Sequence, residues 1–182
     1  MPGGPVLFLK LAPLGDGILF GRGAGRERPP RPPCKIRIVP CRQALAWARR
    51  LPGWLPCRWS GASLRLDALD IDPALPCAAW PFGDLWNLVP ASRRVNQHET
   101  RDRLPSALAL ARAREPILAW WRTAWDADAA LVERFWAETR AALPIGADAS
   151  FDATFSGLEW RRLRVSQDQQ APEWMGVRAP AR

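Results

Sequence analysis

The chain has 182 residues, of which 48% are hydrophobic and 24% are charged, so it can bury a core, which argues against wholesale disorder. No run approaches 18 consecutive apolar residues, so we expect no membrane-spanning helix. The apolar stretch 6–14 contains Lys10 and Pro13, which disfavours a signal peptide. We therefore expect a cytoplasmic protein that has no membrane partner.

The charge is basic and unevenly distributed. Lysine and arginine total 26 against 18 acidic residues, a net charge of +8, and Lys10 and Lys35 are the only lysines. Residues 1–58 hold 11 basic and 2 acidic groups, whereas 59–182 has a net charge of −1. The arginine fork suits phosphate, which favours a nucleic-acid partner held by the N-terminal third. The codon bias of a GC-rich genome explains the arginine excess equally well.

Cysteine and histidine usage limits the chemistry. The cysteines are Cys34, Cys41, Cys57 and Cys77, and none of them forms a C-x-x-C pair, so a zinc site has little support. Without a secretory signal we expect reduced thiols. His98 is the single histidine, which excludes a mechanism that needs two.

Short elements are predicted in a basic N-terminal region over 1–56. Val6–Leu11 and Lys35–Val39 are typical of strands, and the Gly-, Pro- and Arg-rich stretch 12–33 between them predicts a loop. Gln43–Leu51 predicts a short helix, which ends at the Pro-Gly pair that follows.

The middle of the chain alternates strands, turns and polar stretches. Residues 57–72 predict two short strands separated by turn residues. Residues 73–90 are rich in proline and glycine and contain two tryptophans, which predicts an ordered loop pinned by aromatic side chains. Residues 91–102 predict a helix with Ser92 as its N-cap, ended by the Leu-Pro-Ser sequence at 104–106.

A helical C-terminal region is predicted over 107–182. Apolar residues at three–four spacing predict a helix from Leu110 to Trp125, which Pro116 kinks or restarts. A second helix is predicted from Leu131 to about Pro144, and a third around Phe151–Arg162.

The tryptophans of this region have two interpretations. Trp120, Trp121 and Trp125 predict a stripe that packs between helices, and the same helices could bind a protein partner. The tail after Gln167 is polar and is expected to fray.

Residues 57–106 carry the side chains best suited to chemistry. Asp72 ends a predicted strand and Asn96 lies on the following helix. A carboxylate and an amide oxygen, completed by waters and a phosphate oxygen, suit a hard cation such as Mg²⁺. Nearby arginines would neutralise a polyanion backbone, and they are Arg93, Arg94, Arg101 and Arg103. The alternatives are a turn residue for Asp72 and a solvated helix face for the arginines.

The order of motifs in this window resembles an HNH endonuclease domain. The motifs are Cys57-x-Trp59-Ser60-Gly61, Asp70-Ile71-Asp72, Leu75-Pro76, Trp80, Asp84-x-Trp86-Asn87-Leu88-x-Pro90, Asn96 and Asp102-x-Leu104-Pro105. They are most similar to the HNH module of RNA-guided CRISPR nucleases and of related stand-alone bacterial proteins. The resemblance implies an α+β fold with a ββα-metal core over 57–106, between the basic N-terminal extension and the helical region.

The resemblance also implies roles for individual residues. Asp72 corresponds to the metal-binding carboxylate, Asn96 completes the site for one Mg²⁺ or Mn²⁺ ion, and Asn87 braces the catalytic loop. The general base should be a histidine directly after Asp72, but Pro73 stands there. Proline has no titratable group. His98 is the other candidate base, although its i, i+2 spacing from Asn96 favours a surface histidine that points away.

Three classes of function follow. The first is a metal-dependent DNA endonuclease or nickase, impaired because Pro73 replaces the base. The second is a catalytically inactive adaptor that binds DNA or an RNA–DNA complex in a bacterial defence, CRISPR-associated or mobile-element assembly. The third is a protein-interaction subunit. In all three, Trp59, Trp80 and Trp86 are expected to pack in the core rather than to stack on bases.

Overall fold

The computed structural model describes most of the chain beyond the N-terminal region. The described residues are 55–65, 68–125, 128–146 and 149–177, together with Ala44, Ala46 and Ala48. These three alanines are helical, and two of them are buried, within the helix predicted over Gln43–Leu51. The predicted strands Val6–Leu11 and Lys35–Val39 and the loop 12–33 lie outside the described residues.

The described part of the chain is a mixed α+β structure with three two-stranded sheets. In chain order the strands are β1 (Leu55–Pro56), β2 (Ser63–Leu64), β3 (Leu69–Pro73), β4 (Leu88–Ser92), β5 (Leu104–Pro105) and β6 (Glu173–Trp174). β1 pairs with β2 and β3 with β4, both antiparallel, and β5 pairs with β6 in parallel.

The β3/β4 pair is the longest of the three. Leu69 lies opposite Ser92 and Pro73 opposite Leu88. β3 alternates apolar and acidic residues before Pro73, and this period of two places both of its aspartates on one face of the strand. The predicted loop 73–90 is too long, because residues from Leu88 onward form β4. The strand was not predicted because it contains a proline, which has no backbone N–H to donate to a neighbouring strand.

A helical segment follows β4 directly. Residues 93–94 are helical and continue into a π-helical turn at Val95–Thr100, in which the Arg101 N–H donates to the Asn96 carbonyl five residues earlier. Ser92 Oγ accepts the Val95 N–H at 3.2 Å, which confirms Ser92 as the N-cap. The wide turn changes which side chains face β3.

The C-terminal region contains four α-helices where three were predicted, because the first predicted helix is interrupted at Ala113. They are α1 (Ala107–Arg112), α2 (Arg114–Ala124), α3 (Ala129–Ala142) and α4 (Phe151–Gln169). Ser106, Asp128 and Ser150 cap α1, α3 and α4 with side-chain oxygens. Pro116 lies in the first turn of α2, where no intrahelical N–H is needed, so it restarts the helix.

The tryptophan stripe packs inside the molecule, as predicted. Trp120, Trp121 and Trp125 are each at most 1% exposed. Trp120 Nε1 donates to the Leu88 carbonyl at 2.8 Å, so α2 is tied to the end of β4. These three rings are therefore unavailable to a partner. No helix within the described residues is both long and apolar enough to cross a bilayer.

The segment after α4 corrects the prediction of a frayed tail. Residues 173–174 form β6, and Trp174 is 5% exposed. The ring of Trp174 contacts the ring of Trp59 edge-on, with 5.5 Å between centroids. The tail is ordered here because β6 pairs with β5, and the polar composition of the tail does not predict that pairing.

A half-buried acidic cluster joins α3 to the turn before β4. Glu138 Oε2 accepts the Leu85 N–H at 2.6 Å, and Oε1 accepts Arg134 Nε at 2.6 Å. Burial raises the pKa of the Glu138 carboxyl, and the Asp84 carboxylate adds to the rise while Leu85 and Arg134 oppose it. Burial also raises the pKa of Asp84 itself.

This cluster predicts a pH dependence of stability. A carboxyl with a raised pKa keeps its proton in the folded state where the unfolded state has already lost it. The free energy of unfolding should therefore fall as the pH rises through the range just above the ordinary carboxyl pKa. Glu138→Gln should flatten that fall in urea titrations between about pH 4 and 7. Glu133→Gln, at an exposed position of α3, is the control. An unchanged slope in Glu138→Gln would contradict the assignment.

Candidate functional site

Asp72 is buried at the centre of a polar contact between β3 and its neighbours. It is 1% exposed. Its Oδ2 accepts the indole N–H of Trp59 at 2.9 Å and the hydroxyl of Thr100 at 3.0 Å. Two donors from different segments of the chain therefore fix the position of the carboxylate.

Asp70 joins the same face of β3 to the helical segment. Its Oδ2 lies 3.2 Å from Asn96 Nδ2 and 3.4 Å from Gln97 Nε2, so it accepts from both amides. Asn96 and Thr100 are about one turn apart on the segment 93–100. Asn96 donates to Asp70, and Thr100 donates to Asp72. The carboxylates of Asp70 and Asp72 and the amide of Asn96 therefore lie together between β3 and the segment 93–100.

Three contacts of this cluster were missed from the sequence. The motif Asp70-Ile71-Asp72 assigned a role only to Asp72. The i, i+2 spacing of the two aspartates on a strand nevertheless predicts that both lie on the same face of that strand. Thr100 follows Asn96 by four residues on a helix, which is the spacing of neighbours. Trp59 was expected in the core, and it is half-buried with its N–H on Asp72.

Asn87 braces the start of the connection that follows β3. Its side chain is fully buried. Oδ1 accepts the Leu75 N–H at 2.7 Å, Nδ2 donates to the Leu75 carbonyl at 3.1 Å, and the Asn87 carbonyl accepts the Ala74 N–H at 2.7 Å. One amide therefore satisfies both backbone groups of Leu75 inside the protein.

The loop between β3 and β4 is ordered by aromatic side chains, as predicted. Trp86 is fully buried, and its ring centroid lies 5.6 Å from that of the half-buried Trp80. Trp80 Nε1 donates to Asp84 at 2.7 Å. Cys77 in this loop is disulfide-bonded, which contradicts the expectation of reduced thiols. Cys57 is free and buried, as a small apolar residue would be.

The two candidate positions for a general base differ in environment. Pro73 is buried at the end of β3, directly after Asp72. His98 is exposed on the segment 93–100, two residues beyond Asn96. Proline cannot accept a proton, so only His98 has a side chain that could serve as a base.

The four arginines predicted to contact nucleic acid lie on or just after this segment. Arg93, Arg94 and Arg101 are exposed, and Arg103 is half-buried. Arg94 Nε lies 3.5 Å from the Glu99 carboxylate, Arg101 Nε donates to the Gln97 carbonyl at 2.9 Å, and Arg103 donates to the Glu99 carbonyl. These are weak surface contacts that a phosphate could replace.

The side chains fit a hard cation in kind. Carboxylate and amide oxygens are the donors that Mg²⁺ and Mn²⁺ prefer. Asp70 and Asp72 bring carboxylates to this cluster, whereas Asn96 turns its Nδ2 toward Asp70. Asp72 Oδ2 already accepts two protein donors, and a cation bound to that oxygen would compete with them. Within the described residues no three His, Cys, Asp or Glu side chains are grouped around one point.

Breaking the Asn87 brace should destabilise the fold. Asn87→Ala leaves the buried N–H and carbonyl of Leu75 without partners, which costs about 2–4 kcal/mol of unfolding free energy. Chemical denaturation followed by tryptophan fluorescence measures it. Gln97→Ala removes an exposed amide and is the control, with an expected change within about 0.5 kcal/mol. A loss below about 1 kcal/mol in Asn87→Ala would mean that water replaces the amide.

The comparisons with known proteins add no relative. No protein-family model matches the chain, and no curated protein or solved structure matches it. The functional interpretation therefore depends on the motifs and on the contacts described above.

Proposed function

We propose that the chain is an HNH-type, metal-dependent DNA endonuclease or nickase whose activity is impaired by Pro73. The supporting observation is the pairing of β3 with the segment 93–100 through Asn96 to Asp70 and Thr100 to Asp72. Of these four residues, Asp72 and Asn96 are the two that the motif order assigns to a metal site. A chance resemblance in sequence would not require them to meet in space.

The proposed site divides its work among a few side chains. Asp72 and Asn96, with Asp70 beside them, would hold one Mg²⁺ or Mn²⁺ ion. Such an ion polarises a scissile phosphate and stabilises the leaving oxygen. Trp59 and Thr100 hold the Asp72 carboxylate in one orientation, so its position is fixed before substrate arrives.

The remaining parts of the unit position the chain around a nucleic-acid strand. Asn87 fixes the backbone directly after Pro73, so the residue at that position has a defined orientation. The exposed arginines of the segment 93–100 would bind backbone phosphates without reading bases. A water attacking the phosphate must lose a proton, and no side chain at position 73 accepts it. Loss of a general base lowers a rate by about 10²–10⁴-fold.

A plasmid-nicking assay tests this proposal. The natural chain with Mg²⁺ or Mn²⁺ should nick supercoiled DNA very slowly, and Asp72→Asn should remove even that activity while keeping the fold. Asp168→Asn, an exposed acid on α4, is the matched control and should nick like the natural chain. Rapid cutting that needs Asp72 would overturn the impaired-site assignment. Nicking that is equal in Asp72→Asn would overturn the metal-site assignment.

A second candidate is a nucleic-acid-binding adaptor built on an inactive nuclease unit, which belongs to a defence, CRISPR-associated or mobile-element complex. The observation that favours it is Pro73, which leaves the phosphate-binding surface without a base. Salt-dependent binding of DNA without any cleavage would support this candidate. Binding that ignores ionic strength would remove the phosphate-contact argument. A protein-interaction role has no comparable observation, since its tryptophan stripe is buried.

A further inference from the structure

Arg58 is a buried cation beside the candidate site. The residue is 5% exposed, and its backbone N–H donates to the Pro90 carbonyl of β4 at 3.0 Å. Its guanidinium carbon lies 5.8 Å from the centre of the Trp120 ring. The chain therefore carries a positive charge into the interior next to Trp59, the residue that contacts Asp72.

No counter-charge accompanies this guanidinium in the described part of the chain. Its Nε is enclosed and has no hydrogen-bond acceptor, and no acid forms an ion pair with it. Burial lowers the pKa of Arg58 to about 10, which still leaves it charged at neutral pH. The Trp120 ring offers a cation–π contact, which offsets only part of the cost of burying a charge.

The other buried arginine shows what is missing. Arg162 is 7% exposed, its Nε donates to the Pro105 carbonyl at 2.8 Å, and it forms an ion pair with Glu173. Arg162 is thus satisfied within the fold, as buried charges normally are. Arg58 has the same burial with none of these partners.

We infer that Arg58 is the binding site for one phosphate oxyanion. A phosphate brings the negative charge and the pair of acceptor oxygens that a guanidinium fork binds. The Trp120 ring that Arg58 contacts also donates to the Leu88 carbonyl, so Arg58 lies next to the β3/β4 pair that carries the candidate site. The inference rests on the proposed function only for the source of the phosphate, a nucleic-acid backbone rather than a free ion.

Calorimetric titration with inorganic phosphate, at an ionic strength held constant with KCl, tests the site. The natural chain should bind one equivalent, and Arg58→Met should show no saturable binding. Arg58→Lys keeps the charge but loses the fork, so its affinity should fall at least about tenfold. Arg112→Met, an exposed arginine on α1, is the matched control and should bind like the natural chain. Equal binding in Arg58→Met, or none in the natural chain, would overturn the inference.

A short single-stranded oligonucleotide identifies the source of the phosphate. If the backbone supplies it, Arg58→Met should weaken binding and reduce the slope of log affinity against log salt by about one. A phosphate titration that depends on Arg58, together with no oligonucleotide binding, would leave the anion site standing with a free phosphate as its ligand. That result would count against the proposed function alone, so the two failures are distinguishable.

Discussion

Pro73→His is expected to raise metal-dependent nicking of DNA by about 10²–10⁴-fold, the range that a positioned general base contributes. Position 73 directly follows Asp72 on β3, and Asn87 holds the backbone just beyond it through both polar groups of Leu75. Strand alternation points residue 73 away from the face that carries Asp70 and Asp72, so the end of β3 must turn locally for an imidazole there to reach the carboxylate cluster. The expected gain therefore depends on that local turn as well as on the substitution.

The controls separate chemistry from structure. Pro73→Gln introduces a polar side chain and a backbone N–H without a base, so it should nick no faster than the natural chain. Pro73→His combined with Asp72→Asn should lose the gain. Circular dichroism and salt-dependent DNA binding establish that each variant is folded and binds. A folded histidine variant that binds DNA but cuts no faster would remove the support for a nuclease site.

The three–four apolar spacing was enough to predict most of the helical half of the chain. Ser92 was the one cap predicted from the sequence, and its Oγ accepts the Val95 N–H. Ser106, Asp128 and Ser150 also cap helices, although the sequence analysis did not identify them. Such signals work because a helix satisfies its hydrogen bonds within itself, so its limits depend on neighbouring residues.

The strands were predicted less well, because their partners lie far along the chain. β5 and β6 are two residues each and are separated by the whole helical region, so no period marks them. β4 contains Pro90, which argues against a strand unless its neighbour tolerates the missing donor. Long-range pairing is set by tertiary packing, and composition around a single strand does not contain it.

In the candidate site, some residues were predicted from the sequence and others were found only in the fold. The motif order pointed to Asp72, Asn87 and Asn96 before any contact was known, yet it gave no reason to expect Thr100 on the Asp72 carboxylate. The four-residue spacing places Thr100 on the same side of the segment as Asn96, but which of them meets Asp72 is set by how the segment packs on β3. Nor could the sequence reveal which of its many arginines is buried without a partner, since burial is a property of the folded chain.

Arg58→Met is expected to stabilise the protein by about 1–4 kcal/mol in phosphate-free buffer, the gain seen when buried charges are replaced by apolar side chains. Methionine has a stem of similar length and can pack its sulfur against Trp120. The substitution removes the cost of burying the charge from the folded state. For a chain of this size each kcal/mol corresponds to about 2–4 °C in Tm. Urea unfolding with and without phosphate measures the change.

Arg162→Met is the opposing control for this prediction. Arg162 is as deeply buried as Arg58 but has Pro105 and Glu173 as partners, so its removal should cost roughly 2–3 kcal/mol. If both variants lost stability alike, Arg58 would be a structural residue and the phosphate site would fall with it. If Arg58→Met is more stable than the natural chain, added phosphate should reduce the difference between their free energies of unfolding, because phosphate stabilises only the chain that binds it. A residue that lowers stability until an anion arrives is the expected signature of a site kept for binding.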